Sequence, residues 1–243
     1  MSDAIVLQDV TKTFGPKVAV RDLDLVLPTG ALYGFIGPNG AGKTTTIRMI
    51  MSILFQDRGE IRVLGLPSAL EAKDRIGFLP EERGVYKKMK VGAFLRYMAR
   101  LKGRSGPEVG PKVREWLERV ELGDVVNKKC EELSKGMQQK VQFIAAVIHE
   151  PELVILDEPF SGLDPVNLEL MRDVVLELRD KGATIIFCTH DMGVAQSLCD
   201  RVFMIYQGRK VLDGTIDEIR QSHGTSRLRV RMADGGSLPS GLP

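Results

Sequence analysis

The feature that most constrains this chain is the run Gly37-Pro38-Asn39-Gly40-Ala41-Gly42-Lys43-Thr44. It stands between a short apolar stretch, residues 31–36, and a segment opening near Gly42 whose Ile47 and Ile50 share one helical face. A strand running through a glycine turn into a helix aims several backbone N–H groups at one point, which suits a phosphate. Lys43 adds a point charge for the outer phosphates of a nucleoside triphosphate, and the Thr44 hydroxyl is a ligand for Mg2+. The expected contacts are therefore Gly37, Pro38, Asn39, Gly40, Ala41, Gly42, Lys43, Thr44 and Thr45.

A second element matches that chemistry. Residues 153–156, Leu-Val-Ile-Leu, form an apolar strand that ends in Asp157 and Glu158. Alternation along a strand points adjacent side chains to opposite faces, so the two acids divide the work. Asp157 is placed to hold Mg2+, directly or through water, and Glu158 to polarise an attacking water as general base.

The rest of the chain predicts an α/β fold. Residues 4–10 and 18–27, interrupted by Gly15-Pro16, predict an N-terminal antiparallel β subdomain. Residues 60–64, 76–79, 153–156, 184–188 and 202–206 predict further strands, with helices near 168–178 and 194–198, the pattern of a mostly parallel central sheet covered by crossovers. Between Lys90 and Leu122 the period is helical. Phe94, Leu95, Met98 and Leu101 form one stripe and Val113, Trp116, Leu117 and Val120 another, with the breaker segment 103–111 between them. This predicts an inserted α-helical subdomain, at about residues 85–135 of a domain spanning 1–221. Residues 222–243 read as a tail: either one strand at 227–232 and a frayed end, or the opening of an accessory domain.

Composition narrows the partners. Lys and Arg number 34 against 32 Asp and Glu, so net charge gives no reason to expect nucleic acid. Cys130, Cys188 and Cys199 are too few and scattered for a disulfide framework, which fits a reducing cytosol. No signal peptide is expected at the N-terminus, and no apolar run approaches the roughly 20 residues of a membrane-spanning helix. A membrane role must be borrowed from another polypeptide.

A phosphate loop and an acidic strand serve many phosphate-handling enzymes, and Leu133-Ser134-Lys135-Gly136-Met137 separates them. Lying ahead of an amphipathic segment with Val141, Ile144, Ala145 and Ile148 on one face, it resembles the signature of the ATP-binding cassette (ABC) family, usually Leu-Ser-Gly-Gly-Gln. Other family elements follow in order up to about Ser222. Phe14 is similar to the aromatic that stacks on adenine, Ser161-Gly162-Leu163-Asp164 to the loop that communicates across the dimer, and His190 to the switch histidine after a strand.

The resemblance implies a P-loop NTPase fold, ATP and Mg2+ as ligands, and a head-to-tail dimer with a second ABC ATPase subunit, identical or different. Lys43 of one subunit and Ser134 and Gly136 of the other would bracket one ATP, with Glu158 and His190 serving hydrolysis. It further implies integral membrane permease subunits as partners and a peripheral place on the cytoplasmic face of the membrane. One cassette and a short insert favour the transporter class over soluble ABC ATPases, whose translation-linked members usually carry two cassettes and whose repair-linked members carry a long coiled coil. Asn127-Lys128 is similar to the start of a guanine-reading motif, but Cys130 stands where Asp is required, so a GTPase is not indicated.

Two departures from the family pattern stand out. Glu81 occupies the position of a metal-sensing Gln, in wording (Pro80-Glu81-Glu82-Arg83-Gly84) similar to a branch of bacterial exporter ATPases that includes sodium extruders. Glu81 is expected to keep the Mg2+-sensing role, and the wording points to export. Lys135 and Met137 replace Gly and Gln, and Lys135 either adds charge beside the γ-phosphate or projects into solvent. Val85, Tyr86, Met89 and Val91 either receive a cytoplasmic helix of the membrane partner or belong to the subdomain core.

Overall fold

The computed structural model describes residues 3–82 and 84–223; the expectations for residues 224–243, including a strand at 227–232, lie outside the described residues. Two strands, β1 (Asp3–Phe14) and β2 (Lys17–Pro28), pair antiparallel across a tight turn at Gly15 and Pro16, with Phe14 opposite Lys17. A third strand, β4 (Arg58–Val63), comes later in the chain, after β3 (Leu32–Ile36) and α1 (Lys43–Ile50), and pairs with the other edge of β1 to complete a three-stranded sheet. It ends one residue before the expected boundary because Leu64 takes a left-handed φ of 51°.

The larger sheet holds β3 (Leu32–Ile36), β5 (Ile76–Leu79), β6 (Leu153–Asp157), β7 (Thr184–Thr189), β8 (Arg201–Tyr206) and β9 (Arg209–Thr215) in the order β5-β6-β7-β3-β8-β9. All pairings are parallel except β8 with β9. The middle residues of β6 and β7 are apolar on both faces because both faces are covered. Along β6, Leu153 and Ile155 join one core cluster, while Val154 and Leu156 join the other. β9 was not anticipated: as an antiparallel edge strand with mostly exposed side chains it carries little apolar pattern.

Helix α1 (Lys43–Ile50) follows the glycine loop, and α2 (Val91–Leu101), α3 (Val109–Arg119) and α4 (Lys135–Val147) form the helical insert and its return to the sheet. Two expectations are corrected here. Leu101 is exposed rather than on the buried stripe of α2, and the breaker shrinks because α3 already begins at Val109. Gly110 and Pro111 sit in its first turn, where proline's missing N–H breaks no helical bond. The second stripe, Val113, Trp116, Leu117 and Val120, is buried. Of the four residues at 85–91, Val91 is core, Val85 and Met89 pack against the core, and Tyr86 is exposed, edge-on to Phe94 and Tyr97.

The remaining helices are α5 (Pro165–Asp180), α6 (Met192–Leu198) and α7 (Ile216–His223), the last another short element the sequence reading did not reach. Helix α4 is buried nearly all round, carrying Gln139, Lys140 and Gln142 inward beside Val141, Phe143 and Ile144. Each buried polar group has a backbone partner; Lys140 Nζ, for example, donates to the Val120 carbonyl at 2.9 Å. Among the described residues no helix is long and apolar enough to cross a membrane.

Candidate functional site

The loop from Gly37 to Gly42 leaves the carboxyl end of β3, an interior strand, and delivers the chain to the first turn of α1. Glycine is required at Gly42: its φ is +113°, and a Cβ there would stand 2.7 Å from the Ala19 carbonyl oxygen. The loop is further stitched by the Ala41 N–H donating to the Pro38 carbonyl at 3.1 Å. Lys43 is buried, and its Nζ donates to the carbonyls of Gly37 at 2.6 Å and Pro38 at 3.2 Å, so the ammonium is held over the loop it would serve.

Around this loop lies a cavity of about 380 Å³. Asn39, Gly40, Gly42, Lys43, Thr44 and Thr45 line one side, while Glu81, Asp157 and Glu158 approach from the ends of β5 and β6. Phe14, at the end of β1, stands at its mouth with half its surface exposed and Lys12 Nζ 5.6 Å from its ring centre. Lys17 and Ala19 also line the cavity and were missed, since nothing in a hairpin strand's sequence shows that its first residues reach the loop.

Asp157 and Glu158 line the same cavity rather than parting by strand alternation, because β6 ends at Asp157 and Glu158 takes a left-handed φ of 49°. Asp157 is 3% exposed, and burial, then the nearby carboxylates of Glu81 and Glu158, push its pKa up to about 6 against the pull of Lys43 and Arg48. A carboxylate held so far toward its neutral form gains strongly from a cation beside it. With the Thr44 hydroxyl and Glu81 on the same cavity, the oxygen donors fit Mg2+. Among the described residues no three of His, Cys, Asp and Glu converge closely enough for a cation cage made by protein alone.

Glu158 sits just past β6 with a left-handed φ of 49°, its N–H donating to the Cys188 carbonyl of β7 at 3.0 Å. This conformation turns its carboxylate toward the end of β7. There Oε1 accepts from the His190 N–H at 3.0 Å and lies 2.7 Å from His190 Nδ1, while Thr189 Oγ1 donates to Oε2 at 3.4 Å. An acid at the cavity, steadied by a largely exposed imidazole, can accept a proton from a water and be oriented while doing so.

Ser134, Gly136 and Asp164 do not line this cavity. Ser134 caps α4, its Oγ accepting the Met137 N–H at 3.3 Å, and Asp164 caps α5 by accepting the Asn167 N–H at 3.0 Å. A Cβ on Gly136 would lie 3.6 Å from the Gly162 carbonyl, so the signature-like segment and the 161–164 loop form a second surface apart from the first.

The family model "ABC transporter" matches residues 20–161, and "AAA domain, putative AbiEii toxin, Type IV TA system" matches the shorter stretch 129–195. The chain is 47% identical over 230 residues to the uncharacterized ABC transporter ATP-binding protein YhaQ of Bacillus subtilis, covering 95% of this chain and 77% of that one. It is 36% identical over 235 residues to Nod factor export ATP-binding protein I of Burkholderia lata, covering 95% and 77%. A solved structure described as the ATP-binding subunit of an ABC transporter superposes with a TM-score of 0.85 at 30% identity, covering 90% of this chain and 93% of that one.

Proposed function

The chain belongs to the ABC transporter family, as one of its ATP-binding, ATP-hydrolysing subunits, and on that premise we propose how its residues divide the work and what it drives. ATP with Mg2+ binds in the cavity between the phosphate loop and the acidic strand. A second ABC ATPase subunit, identical or different, then closes over it head to tail, and the closure powers export through separate integral membrane subunits at the cytoplasmic face of the membrane. The observation that carries this reading is the cavity itself, where Phe14, Lys43, Thr44, Glu81, Asp157 and Glu158 meet while Ser134 and Gly136 stand on another surface.

In this reading Phe14 stacks on adenine, and the amides of residues 37–45 and Lys43 hold the phosphates. Thr44, Asp157 and Glu81 hold Mg2+, which when bound neutralises charge on the outer phosphates. Glu158 takes the proton of the attacking water, and His190, through the contact at 2.7 Å, fixes the carboxylate's direction. Ser134, Gly136 and Asp164 serve the cavity of the partner subunit. The domain then spans residues 1–221, with the helical insert at about 85–135 and residues 222–243 as a tail. Export is supported by the name of the Nod factor relative. A groove of about 400 Å³ beside Glu81, floored by Ile47, Ile53 and Phe78, offers an apolar seat for a cytoplasmic helix of the membrane partner.

The test is Glu158→Gln. Turnover should fall about 100-fold or more while ATP promotes a stable dimer, read by ATPase assay and solution scattering. Retained hydrolysis would remove Glu158 from its role, and scattering that shows no association with ATP, alone or with a partner cassette, would defeat the closure.

A further inference from the structure

Helix α4 carries two glutamines, three residues apart, whose carboxamides are almost wholly buried: Gln139 is 3% exposed and Gln142 is 6% exposed. Neither belongs to the apolar face expected of this helix, and each is aimed at backbone outside it. Gln139 Nε2 donates to the Pro159 carbonyl at 3.1 Å. Gln142 Nε2 donates to the Glu82 carbonyl at 3.2 Å, and its Oε1 accepts the Gly84 N–H at 3.3 Å. Only one orientation of the Gln142 amide satisfies both of its bonds, so this side chain is fixed like a short strand against the backbone on either side of position 83.

The two held carbonyls are not arbitrary. Pro159 directly follows Glu158 and Glu82 directly follows Glu81, and both acids line the nucleotide cavity. One face of α4 therefore grips the chain immediately after each acid. The N-terminal tip of the same helix is Ser134, on the second surface. One helix can hold both because positions i and i+3 share a face.

We propose that Gln139 and Gln142 are positioning residues that register α4 against both acidic segments, so that a shift of Glu81 or Glu158 on nucleotide binding is carried along the helix to Ser134. This rests on the reading of the cavity as the ATP site. Movement of the brace is visible without a label, because the only tryptophan of the chain, Trp116 on α3, packs in the same core cluster as α4.

The experiment titrates the full chain with Mg2+ and ATP, reading binding by calorimetry and the position of the helical insert by Trp116 emission. In the native chain the emission change should saturate with binding. Gln142→Met keeps the length and packing of the side chain and removes both hydrogen bonds. It should bind ATP within about threefold of native and lose the Trp116 response by about fivefold or more, the scale of one hydrogen bond's net worth. A merely structural role would lower the melting temperature and leave emission change per bound ATP intact, which would overturn the proposal. So would native protein that binds ATP without any change at Trp116. Native protein that binds no ATP would instead overturn the reading of the cavity, and the proposal with it. If Gln142→Met does not fold, Gln142→Glu, which keeps the acceptor for Gly84 and loses the donor to Glu82, serves in its place with the same loss expected.

Discussion

His149, just after α4, gives a quantitative test of the packing of that helix against the start of β5. It is 1% exposed, and its Nε2 lies 3.2 Å from the Ile76 carbonyl. A carbonyl only accepts, so Nε2 carries the hydrogen, leaving Nδ1 as the bare nitrogen; among the described residues it has no hydrogen-bond partner. Protonating Nδ1 would bury a charge with no acceptor, beside Lys102 and Arg104, with the hydrogen bond to the Ile76 carbonyl and the charge of Asp74 opposing. The imidazole pKa is accordingly pushed down from 6.5 to about 4, by burial first and Lys102 next. The unfolded chain takes up this proton near its ordinary pKa and the folded chain only near 4, so stability is full above both values and falls as pH drops through that window. Between about pH 7.5 and about pH 5 the loss from this one group is about 2 kcal/mol, or about 4–8 °C in melting temperature for a chain of this size. His149→Gln can still donate to Ile76 and cannot titrate. Thermal or urea melts at the two pH values should show the native protein losing about 2 kcal/mol more than the variant, every other titrating group being common to both. Parallel pH dependence in the two proteins would refute the reasoning.

Two further outcomes follow from the cavity. Phe14→Ala should weaken ATP binding about two- to tenfold by calorimetry and leave inorganic triphosphate binding unchanged, since only the base is expected to touch the ring. Glu81→Gln removes a charge beside Asp157 and should change the Mg2+ concentration needed for half-maximal ATP hydrolysis; an unchanged Mg2+ dependence would take Glu81 out of the metal shell.

What could be read from the sequence was local. The run from Gly37 to Thr44 needs only its own backbone to make an anion cradle, and the apolar strand before Asp157 declares itself by composition. The pairing of Glu158 with His190 was legible only as family resemblance, because the 2.7 Å contact joins the ends of two strands that adjoin only in the assembled sheet. The polar face of α4 ran against the periodic signal. Gln139, Lys140 and Gln142 look like solvent residues in a helical pattern, and only the backbone carbonyls they reach explain their burial. Strand β9 and helix α7 were silent for the opposite reason, since an edge strand and a short exposed helix leave little hydrophobic period to find.

The strand order has a mechanical consequence. The phosphate loop hangs from β3, hydrogen-bonded on both sides by β7 and β8, and Glu158 leaves β6, also flanked on both sides. Glu81 leaves β5, four residues long and paired on one side only. The rim at Glu81 thus has hydrogen-bond ladders on one side only to resist displacement, whereas the strands that carry the phosphate loop and Glu158 are held on both.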